Sequence, residues 1–298
     1  MDYRVCIQAA GRGSRVISAS STNKALLPVR HQAVLSHIIR KFPREVEIVI
    51  AAGHLADHLR DFLTLAFPDR KITLQVVANF DGPGSGPGLS LLCCRPLLLC
   101  PFIFVACDTL VLEEIPPPTE DWIGVAPVAD PERFLVARCD RGRVARLFDK
   151  WSSDRIAGAG ASATQAMENA FIGLAGVRDH RSFWSALARD ESLIGGERQV
   201  SLGLNGLIEG GLKTVRFTWF DTGTEESYRE TAAHFEAHDS LPKPGEFLYF
   251  EDDRVIKFFA DQRRCENRAI RAAALGEFGP RWLGRHGHFY AYRFVPGQ

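Results

Sequence analysis

The sequence has no surplus of charge of either sign. Its 298 residues include 36 basic and 36 acidic side chains, which gives a formal net charge of zero. A chain without a basic surplus offers no general surface for nucleic acid, so any phosphate binding should be confined to one local site. Nucleic acid is therefore not expected as a partner.

The cysteines do not form any paired motif. There are seven of them, an odd number, and no C-x-x-C spacing occurs among positions 6, 93, 94, 100, 107, 139 and 265. Neither a disulfide framework nor a zinc site is indicated. Most of the cysteines lie in apolar runs, where cysteine is usually inert packing, so a reducing cytoplasm is the expected location. The start, Met1–Arg4, does not resemble a signal peptide.

An apolar stretch suitable for a membrane span is also lacking. Residues 89–107 are mostly apolar, but Arg95, Pro96 and Pro101 interrupt them and Asp108 follows. A short helix, a break and a buried strand are predicted instead, and no membrane partner is expected.

The remaining pattern is that of an α/β protein. The length fits a large α/β domain with a small appendix, and a hydrophobic content of 46% supports a real core. Predicted helices at 33–42 and 55–67 alternate with predicted strands at 45–52 and 72–77. This order predicts a Rossmann-like, mainly parallel sheet with some antiparallel members and helices on both faces.

The first strand leads into a glycine-rich turn. Val5–Ile7 is a short apolar run, and the sequence AAGRGSR follows at Ala9–Arg15. Glycines let the backbone approach a ligand, and free N–H groups in such a turn can cradle phosphate oxygens. Two cations, Arg15 and Lys24, come next, which favours a polyphosphate ligand.

A dinucleotide cofactor is the alternative ligand for a G-x-G turn. That site requires G-x-G-x-x-G and an acidic residue near the end of the second strand. Here Val16 occupies the third glycine position, and the second strand runs out into Gly53 and His54 without a carboxylate. The pattern argues against nicotinamide and for a nucleoside triphosphate.

The string A-A-G-x-G-S-R, a gap of seven residues and N-K-A-L-L-P-V together resemble the signature of nucleotidyltransferases that activate sugar 1-phosphates and phospho-alcohols. The resemblance implies a GT-A-like fold in which the glycine loop wraps the triphosphate. It implies that Arg15 neutralises the leaving pyrophosphate and that Lys24 lies between the two reacting phosphates. The implied nucleotide-binding residues of this loop are Ala9, Ala10, Gly11, Gly13 and Ser14.

A second glycine-rich loop, Gly82–Gly88, contains four glycines and two prolines in seven residues. It is either a surface loop or a loop whose bare backbone binds the edge of a base. Its ending, Gly88-Leu89-Ser90, resembles the Gly-Leu-Ala that closes the base-binding loop of the same family. Ser85 and Gly88 are therefore further candidates for binding the nucleotide.

Two predicted strands end on aspartates. Asp108 follows an apolar strand, and Asp221 lies in the string W-x-D-T-G-T. Ligands of open α/β sheets bind at the carboxyl ends of strands, although an aspartate there is often a cap or an Asx turn. Both positions resemble the metal-binding aspartates of this family, which implies that Asp108 and Asp221 hold one Mg²⁺.

The acceptor pocket is expected in the middle of the chain. The resemblance implies acceptor contacts for Lys150 at a strand end, for Glu168 and Asn169 at the start of a strand, and for Glu197 before a helix. A solvated lysine and turn-capping side chains are the alternatives.

The C-terminal part has a different character. After a linker at 240–245, residues 247–259 predict a hairpin with its turn at Asp252-Asp253, followed by a helix at 262–275 and a strand at 289–295. This α+β order resembles the first lobe of the aminoglycoside and choline kinases, with Lys257 and Glu266 at the positions of the paired lysine and glutamate. The catalytic loop of those kinases is missing, so kinase activity is not expected.

The predicted domains are 1–239, a nucleotidyltransferase, and 246–298, a partial kinase-like lobe. The predicted function is Mg²⁺-dependent transfer of a nucleotide, with a pyrimidine and CTP slightly favoured over UTP, to a phosphorylated small alcohol or sugar phosphate. Three alternatives stay open: a non-catalytic nucleotide-binding regulatory module, a fragment of a bifunctional protein whose kinase domain lies downstream, and a small-molecule kinase.

Overall fold

The computed structural model describes residues 3–16, 21–128, 130–149, 169–235, 243 and 245–296. Its strands are β1 Arg4–Ala9, β2 Pro28–Val29, β3 Gln32–Ala33, β4 Glu47–Ala52, β5 Ile72–Val76, β6 Phe102–Ala106, β7 Thr109–Val111, β8 Trp122–Pro127, β9 Val136–Asp140, β10 Arg143–Phe148, β11 Asn169–Val177, β12 Lys213–Arg216, β13 Trp219–Asp221, β14 Glu246–Glu251, β15 Arg254–Phe259, β16 Trp282–His286 and β17 Phe289–Arg293. Its α-helices are α1 Val34–Arg40, α2 Ala56–Ala66, α3 Pro87–Cys94, α4 His180–Arg189, α5 Ser201–Asn205, α6 Glu225–Phe235 and α7 Gln262–Ala274.

The chain folds into two compact units. The first comprises Met1–Gly11, Val46–Gly53 and Ile72–Trp219, and the second comprises Arg12–Glu45, His54–Lys71 and Phe220–Gln298.

A nine-stranded mixed sheet forms the centre of the first unit, in the order β5-β4-β1-β6-β11-β8-β12-β10-β9. Strands β5, β4, β1 and β6 run parallel, and Ile7 of β1 lies between Ile50 of β4 and Val105 of β6. Val5, Cys6 and Ile7 are fully buried, as expected for a strand inside a parallel sheet. The α/β prediction is confirmed. The sheet is mixed as predicted, but it is not mainly parallel, because the pairs β6–β11, β11–β8, β12–β10 and β10–β9 are antiparallel.

Aromatic side chains fill the core on one face of this sheet. Phe102 of β6 stacks on Trp184 of α4 with ring centroids 5.1 Å apart, and the indole N–H of Trp184 donates to the carbonyl of Leu98 at 3.0 Å. Phe183 packs edge-on against the same two rings. These contacts fix α4 beside the start of β6.

The apolar stretch at 89–107 forms what its interruptions predicted. It contributes α3, a short 3₁₀ turn at Arg95–Leu97 and then the buried strand β6. Among the residues described, no helix is both long and apolar enough to cross a membrane. All seven cysteines lie in the described part of the chain and are free thiols. A hydrogen bond with Cys94, together with burial, raises the pKa of the Cys6 thiol, which keeps this thiol protonated and inert.

The second unit contains α1, α2, α6, α7 and a four-stranded antiparallel sheet in the order β14-β15-β17-β16. The predicted hairpin and its turn at Asp252-Asp253 are present as β14 and β15. Strand β16 was not predicted. It has five residues, includes Gly284 at φ +133°, and shows a register shift against β17, so its sequence lacks a regular alternation.

The C-terminal sheet packs on α1 and α2 within this unit. The hydroxyl of Tyr249 donates to the carbonyl of Leu26 at 2.6 Å, and the Tyr249 ring meets Phe62 of α2 at 5.1 Å. Arg40 of α1 forms an ion pair of 2.9 Å with Glu251, whose side chain is fully buried and whose pKa burial raises. Residues 246–296 therefore share their core with the first part of the chain, and the predicted domain boundary between 239 and 246 stays a prediction.

The resemblance of the C-terminal part to a kinase lobe also stays a prediction. Glu266 of α7 pairs with Arg285 at 3.3 Å, and Lys257 Nζ lies 5.5 Å from the centre of the Tyr292 ring. Among the ion pairs of the described residues, the expected Lys257–Glu266 pair does not occur.

Local contacts explain where two elements of the first unit end. Helix α5 ends at Asn205, in a region where Gly203 and Gly206 press against α4. Strands β12 and β13 are separate, because the backbone N–H of Thr218 between them donates to the Glu113 carboxylate instead of to a neighbouring strand.

Candidate functional site

The carboxyl ends of β1 and β6 bring two parts of the predicted site together in the first unit. Gln8 pairs with Ala106, and the N–H of Cys107 donates to the carbonyl of Gln8 at 3.3 Å. The buried Ala9 and Ala10 therefore end β1 beside the half-buried Asp108. A carboxylate and a glycine-rich turn thus lie at the same edge of the sheet, where open α/β folds bind their ligands.

Gly53, which follows β4, supports this edge in a way that the sequence did not indicate. A Cβ atom there would lie 2.6 Å from the carbonyl oxygen of Ala10 and 2.6 Å from the Cβ of Phe80. Only glycine fits such a close approach. The sequence does show a glycine directly after a strand. Its interpretation above, however, concerns only the absence of a carboxylate at the end of that strand.

In the second unit, the structure places Gly13 against Lys24. Gly13 has φ +66°, and a Cβ atom there would lie 3.0 Å from the Cβ and Cδ atoms of Lys24. Val16 is buried and its N–H closes the turn on the carbonyl of Gly13 at 2.9 Å, whereas Ser14 and Arg15 are exposed. The stem of the predicted catalytic lysine therefore runs along the backbone of the glycine loop.

Asn23 holds Lys24 in place and was not predicted to matter. It is fully buried, and its side-chain oxygen accepts a hydrogen bond from the N–H of Ala25 at 3.0 Å. Its amide nitrogen donates to the carbonyl of His54 at 2.7 Å. This caps the 3₁₀ turn Lys24–Leu26, which explains why asparagine precedes the lysine in the N-K-A-L-L-P-V string.

Asp221 and Arg15 both form hydrogen bonds with α6 or with the residues just before it. Asp221 Oδ1 accepts a hydrogen bond from the N–H of Gly223 at 2.9 Å, so the Asx turn considered as the alternative is present. The hydroxyl of Thr231 donates to the Asp221 carbonyl at 2.7 Å, and the N–H of Glu225 donates to the carbonyl of Arg15 at 3.0 Å. The loop that contains Gly13 and Arg15 therefore contacts both Lys24 and the start of α6, the helix that follows Asp221. These predicted residues belong to the second unit.

The loop Gly82–Gly88 is fixed to the segment that carries Glu197. Gly86 has φ +114°. A Cβ atom there would lie 2.8 Å from the carbonyl oxygen of Arg198 and 2.8 Å from the Cβ of Glu197. The side-chain amide of Gln8 donates to the carbonyl of Pro87 at 2.7 Å and connects the loop to β1. The candidate base-binding loop therefore lies directly beside a candidate acceptor residue.

The acceptor candidates are only partly described. Asn169 opens β11 opposite Pro127, the last residue of β8, and its Oδ1 accepts a hydrogen bond from Arg216 Nη2 at 3.2 Å. Glu197 is exposed and accepts a hydrogen bond from Gln199 Nε2 at 3.0 Å. Lys150 and Glu168 lie outside the described residues. Arg216, an exposed cation at the end of β12, is a neighbour that sequence reasoning missed.

Asp108 and Asp221 are the carboxylates predicted to hold a metal. Carboxylate oxygens are the hard donors that Mg²⁺ prefers, and this ion needs few of them from the protein. Across the described ranges, no group of three or more His, Cys, Asp or Glu side chains is arranged as a metal site.

Known proteins resemble this chain in part of its sequence and in its fold. Residues 5–141 match the MobA-like NTP transferase domain. A UDP-glucose pyrophosphorylase complexed with UDP-glucose superposes with a TM-score of 0.63 at 16% identity, covering 79% of this chain and 98% of that one. A CTP:phosphocholine cytidylyltransferase from Streptococcus pneumoniae superposes with a TM-score of 0.61 at 13% identity, covering 79% of this chain and 100% of that one. No curated protein sequence matches the chain.

The two solved structures establish the fold, and the domain match establishes the class of enzyme. The chain has the nucleotidyltransferase α/β fold and is a nucleotidyltransferase.

Proposed function

We propose that this enzyme transfers a nucleotide from a pyrimidine nucleoside triphosphate, CTP before UTP, to a phosphorylated small alcohol or sugar phosphate. Pyrophosphate is the second product. The acceptor's phosphate oxygen attacks the α-phosphorus, and the bond from that phosphorus to the bridging oxygen of pyrophosphate breaks.

The contact between Gly13 and Lys24 is the observation that carries this proposal. Gly13 has a positive φ, and a Cβ atom there would lie 3.0 Å from the Cβ and Cδ atoms of Lys24, so the lysine stem runs against a turn of bare backbone. Exposed Gly11, Ser14 and Arg15 complete that turn. Backbone N–H groups together with the two cationic side chains, Arg15 and Lys24, suit a triphosphate.

The protein's task in this reaction is to position the reactants and to neutralise charge. The attacking phosphate is already anionic at neutral pH, so no strong general base is required. Arg15 stabilises the negative charge that develops on the leaving pyrophosphate, and Lys24 stabilises the pentavalent phosphorus. The backbone of Ala9–Gly13 holds the triphosphate, while Ser85 and Gly88 hold the base.

Asp108 and Asp221 are the residues proposed to hold Mg²⁺. The fit rests on the chemistry of the donors, since both are carboxylates at the ends of strands in a phosphate-binding context. When bound, the ion would supply charge neutralisation at the reacting phosphates.

The acceptor pocket is proposed to use Asn169, Glu197, Lys150 and Glu168. Arg216, hydrogen-bonded to Asn169, adds a cation suited to an acceptor phosphate. The preference for CTP and for a phospho-alcohol rests on the family resemblance and on the resemblance of the C-terminal piece to the choline kinases. The C-terminal piece is proposed to be a partial kinase-like lobe without kinase activity of its own.

Measurement of pyrophosphate release tests this function. CTP, UTP, ATP and GTP are each combined with phosphocholine or glucose 1-phosphate in the presence of Mg²⁺, and CTP with phosphocholine should be the fastest pair. ADP release without pyrophosphate would indicate a kinase. Nucleotide binding without any product would indicate a regulatory module.

Asp108→Asn should reduce turnover by at least about a hundredfold, in line with the loss of a principal electrostatic stabiliser. Asp140→Asn is the matched control, because Asp140 is an exposed aspartate at the end of β9. Near-normal turnover of Asp108→Asn would remove Asp108 from the mechanism.

A further inference from the structure

A ladder of backbone hydrogen bonds joins the candidate base loop to the segment that carries Glu197. The N–H of Gly84 donates to the carbonyl of Gly196 at 2.9 Å, and the N–H of Arg198 donates to the carbonyl of Ser85 at 2.7 Å. The N–H of Gly88 then donates to the carbonyl of Arg198 at 2.8 Å. The two loops are paired like short strands, although neither forms a regular strand.

Glycine makes this pairing close. At Gly88, a Cβ atom would lie 2.7 Å from the carbonyl oxygen of Gln199 and 2.8 Å from that of Arg198. Ser85, at 5% exposure, is buried in the same contact. The base loop therefore cannot shift without moving the backbone at residues 196–199.

The side chain of Arg198 anchors the other side of this pair. Its Nη2 donates to the carbonyl oxygens of Leu187, Ala188 and Asp190 at 2.7, 3.3 and 2.9 Å. These carbonyls belong to the last turn and the cap of α4, where helix carbonyls lack partners within the helix and a cation is favoured. All three contacts come from the single nitrogen Nη2, and the buried Nε has no hydrogen-bond partner. A lysine ammonium, which has three donors, can therefore replace part of this contact, whereas a neutral side chain loses the charge that the helix end favours.

Helix α4 is itself anchored in the core. Phe183 and Trp184 are buried, and the Trp184 ring stacks on Phe102 of β6. A continuous set of contacts therefore runs from the central sheet through α4 and Arg198 to both loops, and all of it lies within the first unit.

We propose that Arg198 is a positioning residue that couples the base pocket to the acceptor pocket. Its backbone holds the loop around Ser85 and Gly88, its side chain fixes that backbone to α4, and the preceding residue is Glu197. Nucleotide binding on the base loop then steadies the segment that receives the acceptor, so that each substrate tightens the binding of the other. This inference rests on the proposed function.

The kinetic signature of this role differs from that of a catalytic side chain. Arg198→Gln keeps part of the length and polarity but loses the charge and the fork. It should raise the KM for the nucleotide and the KM for the acceptor together, each by about tenfold, with kcat changed less than threefold. Arg198→Lys should recover part of both effects. Arg181→Gln is the matched control, because Arg181 is an exposed arginine of α4.

Amide hydrogen exchange gives a test that does not depend on activity. In Arg198→Gln, the N–H groups of Gly84 and Gly88 should exchange at least about tenfold faster, while those of β6 keep the protection of the global fold. Arg181→Gln should leave both rates unchanged. If the exchange at Gly84 and Gly88 does not respond, Arg198 does not hold the loop.

The two failures can be told apart. If the unaltered enzyme releases no pyrophosphate from any substrate pair, the proposed function fails, and hydrogen exchange still decides whether Arg198 anchors the loop. If the enzyme is active and Arg198→Gln changes only one KM, or only kcat, the coupling is wrong. If Arg198→Gln loses the fold altogether, Arg198→Lys replaces it, and a smaller rise in both KM values together is then required.

Discussion

The two glycine-rich loops differ in the surroundings of their glycines. A Cβ atom at Gly11 would meet nothing within 4 Å, and Gly11 is exposed together with Arg12, Ser14 and Arg15. In the loop Gly82–Gly88, glycines 86 and 88 are pressed against the backbone of residues 196–199. The comparison teaches that glycine at position 11 leaves open space beside the chain, whereas glycine at positions 86 and 88 permits close internal packing.

Lys24→Met gives the largest expected effect and tests the first loop. Methionine keeps the aliphatic stem beside Gly13 and removes the charge, so the fold should persist while turnover falls by at least about a hundredfold. Steady-state pyrophosphate release measures the loss, and thermal unfolding checks the fold. Lys71→Met, at an exposed lysine of the same unit, is the control. Turnover within threefold of normal would contradict the role of Lys24.

Gly88→Ala tests the second loop and should act on stability. The new methyl group would lie less than 3 Å from two carbonyl oxygens, so the backbone must move, and overpacking of this kind costs about 1–3 kcal/mol. Urea unfolding measures the loss. An unchanged unfolding midpoint would mean that the two loops do not differ as described.

Gly11→Ala should have the smallest effect on the fold and a selective effect on binding. The space around Gly11 is open, so the free energy of unfolding should change by no more than about 0.5 kcal/mol. The methyl group would obstruct the approach of phosphate, which should raise the KM for the triphosphate by about tenfold, equivalent to about 1.4 kcal/mol. A KM that rises only for the acceptor would assign this turn to the other substrate.

Local sequence signals predicted much of the scaffold. Apolar runs marked β1, β4 and β6, and the interruption by Arg95 and Pro96 marked the end of α3. The string ending in N-K-A-L-L-P-V made Gly13 and Lys24 site candidates, because its spacing resembles a known signature, but it did not predict the contact between them.

The supporting contacts could not be predicted in the same way. Gln8, Gly53 and Arg198 act through partners 79, 43 and 113 positions away in the sequence, at Pro87, Ala10 and Ser85 respectively. No local period or motif encodes such a pair, since the fold alone brings the partners together. The β16 strand was missed for a different reason, because Gly284 and the charged end of this strand break the alternation of a half-buried strand.

The burial of Glu251 against Arg40 has a practical consequence for anyone who wishes to shorten this protein. Removing everything after residue 240 would take away the carboxylate that pairs with Arg40 and the hydroxyl that reaches the Leu26 carbonyl, and it would leave Phe62 facing water. The stretch that carries Lys24 would lose its packing partner at the same time. Truncation at the predicted linker would therefore disturb the proposed catalytic site, and every assay should use the chain of all 298 residues.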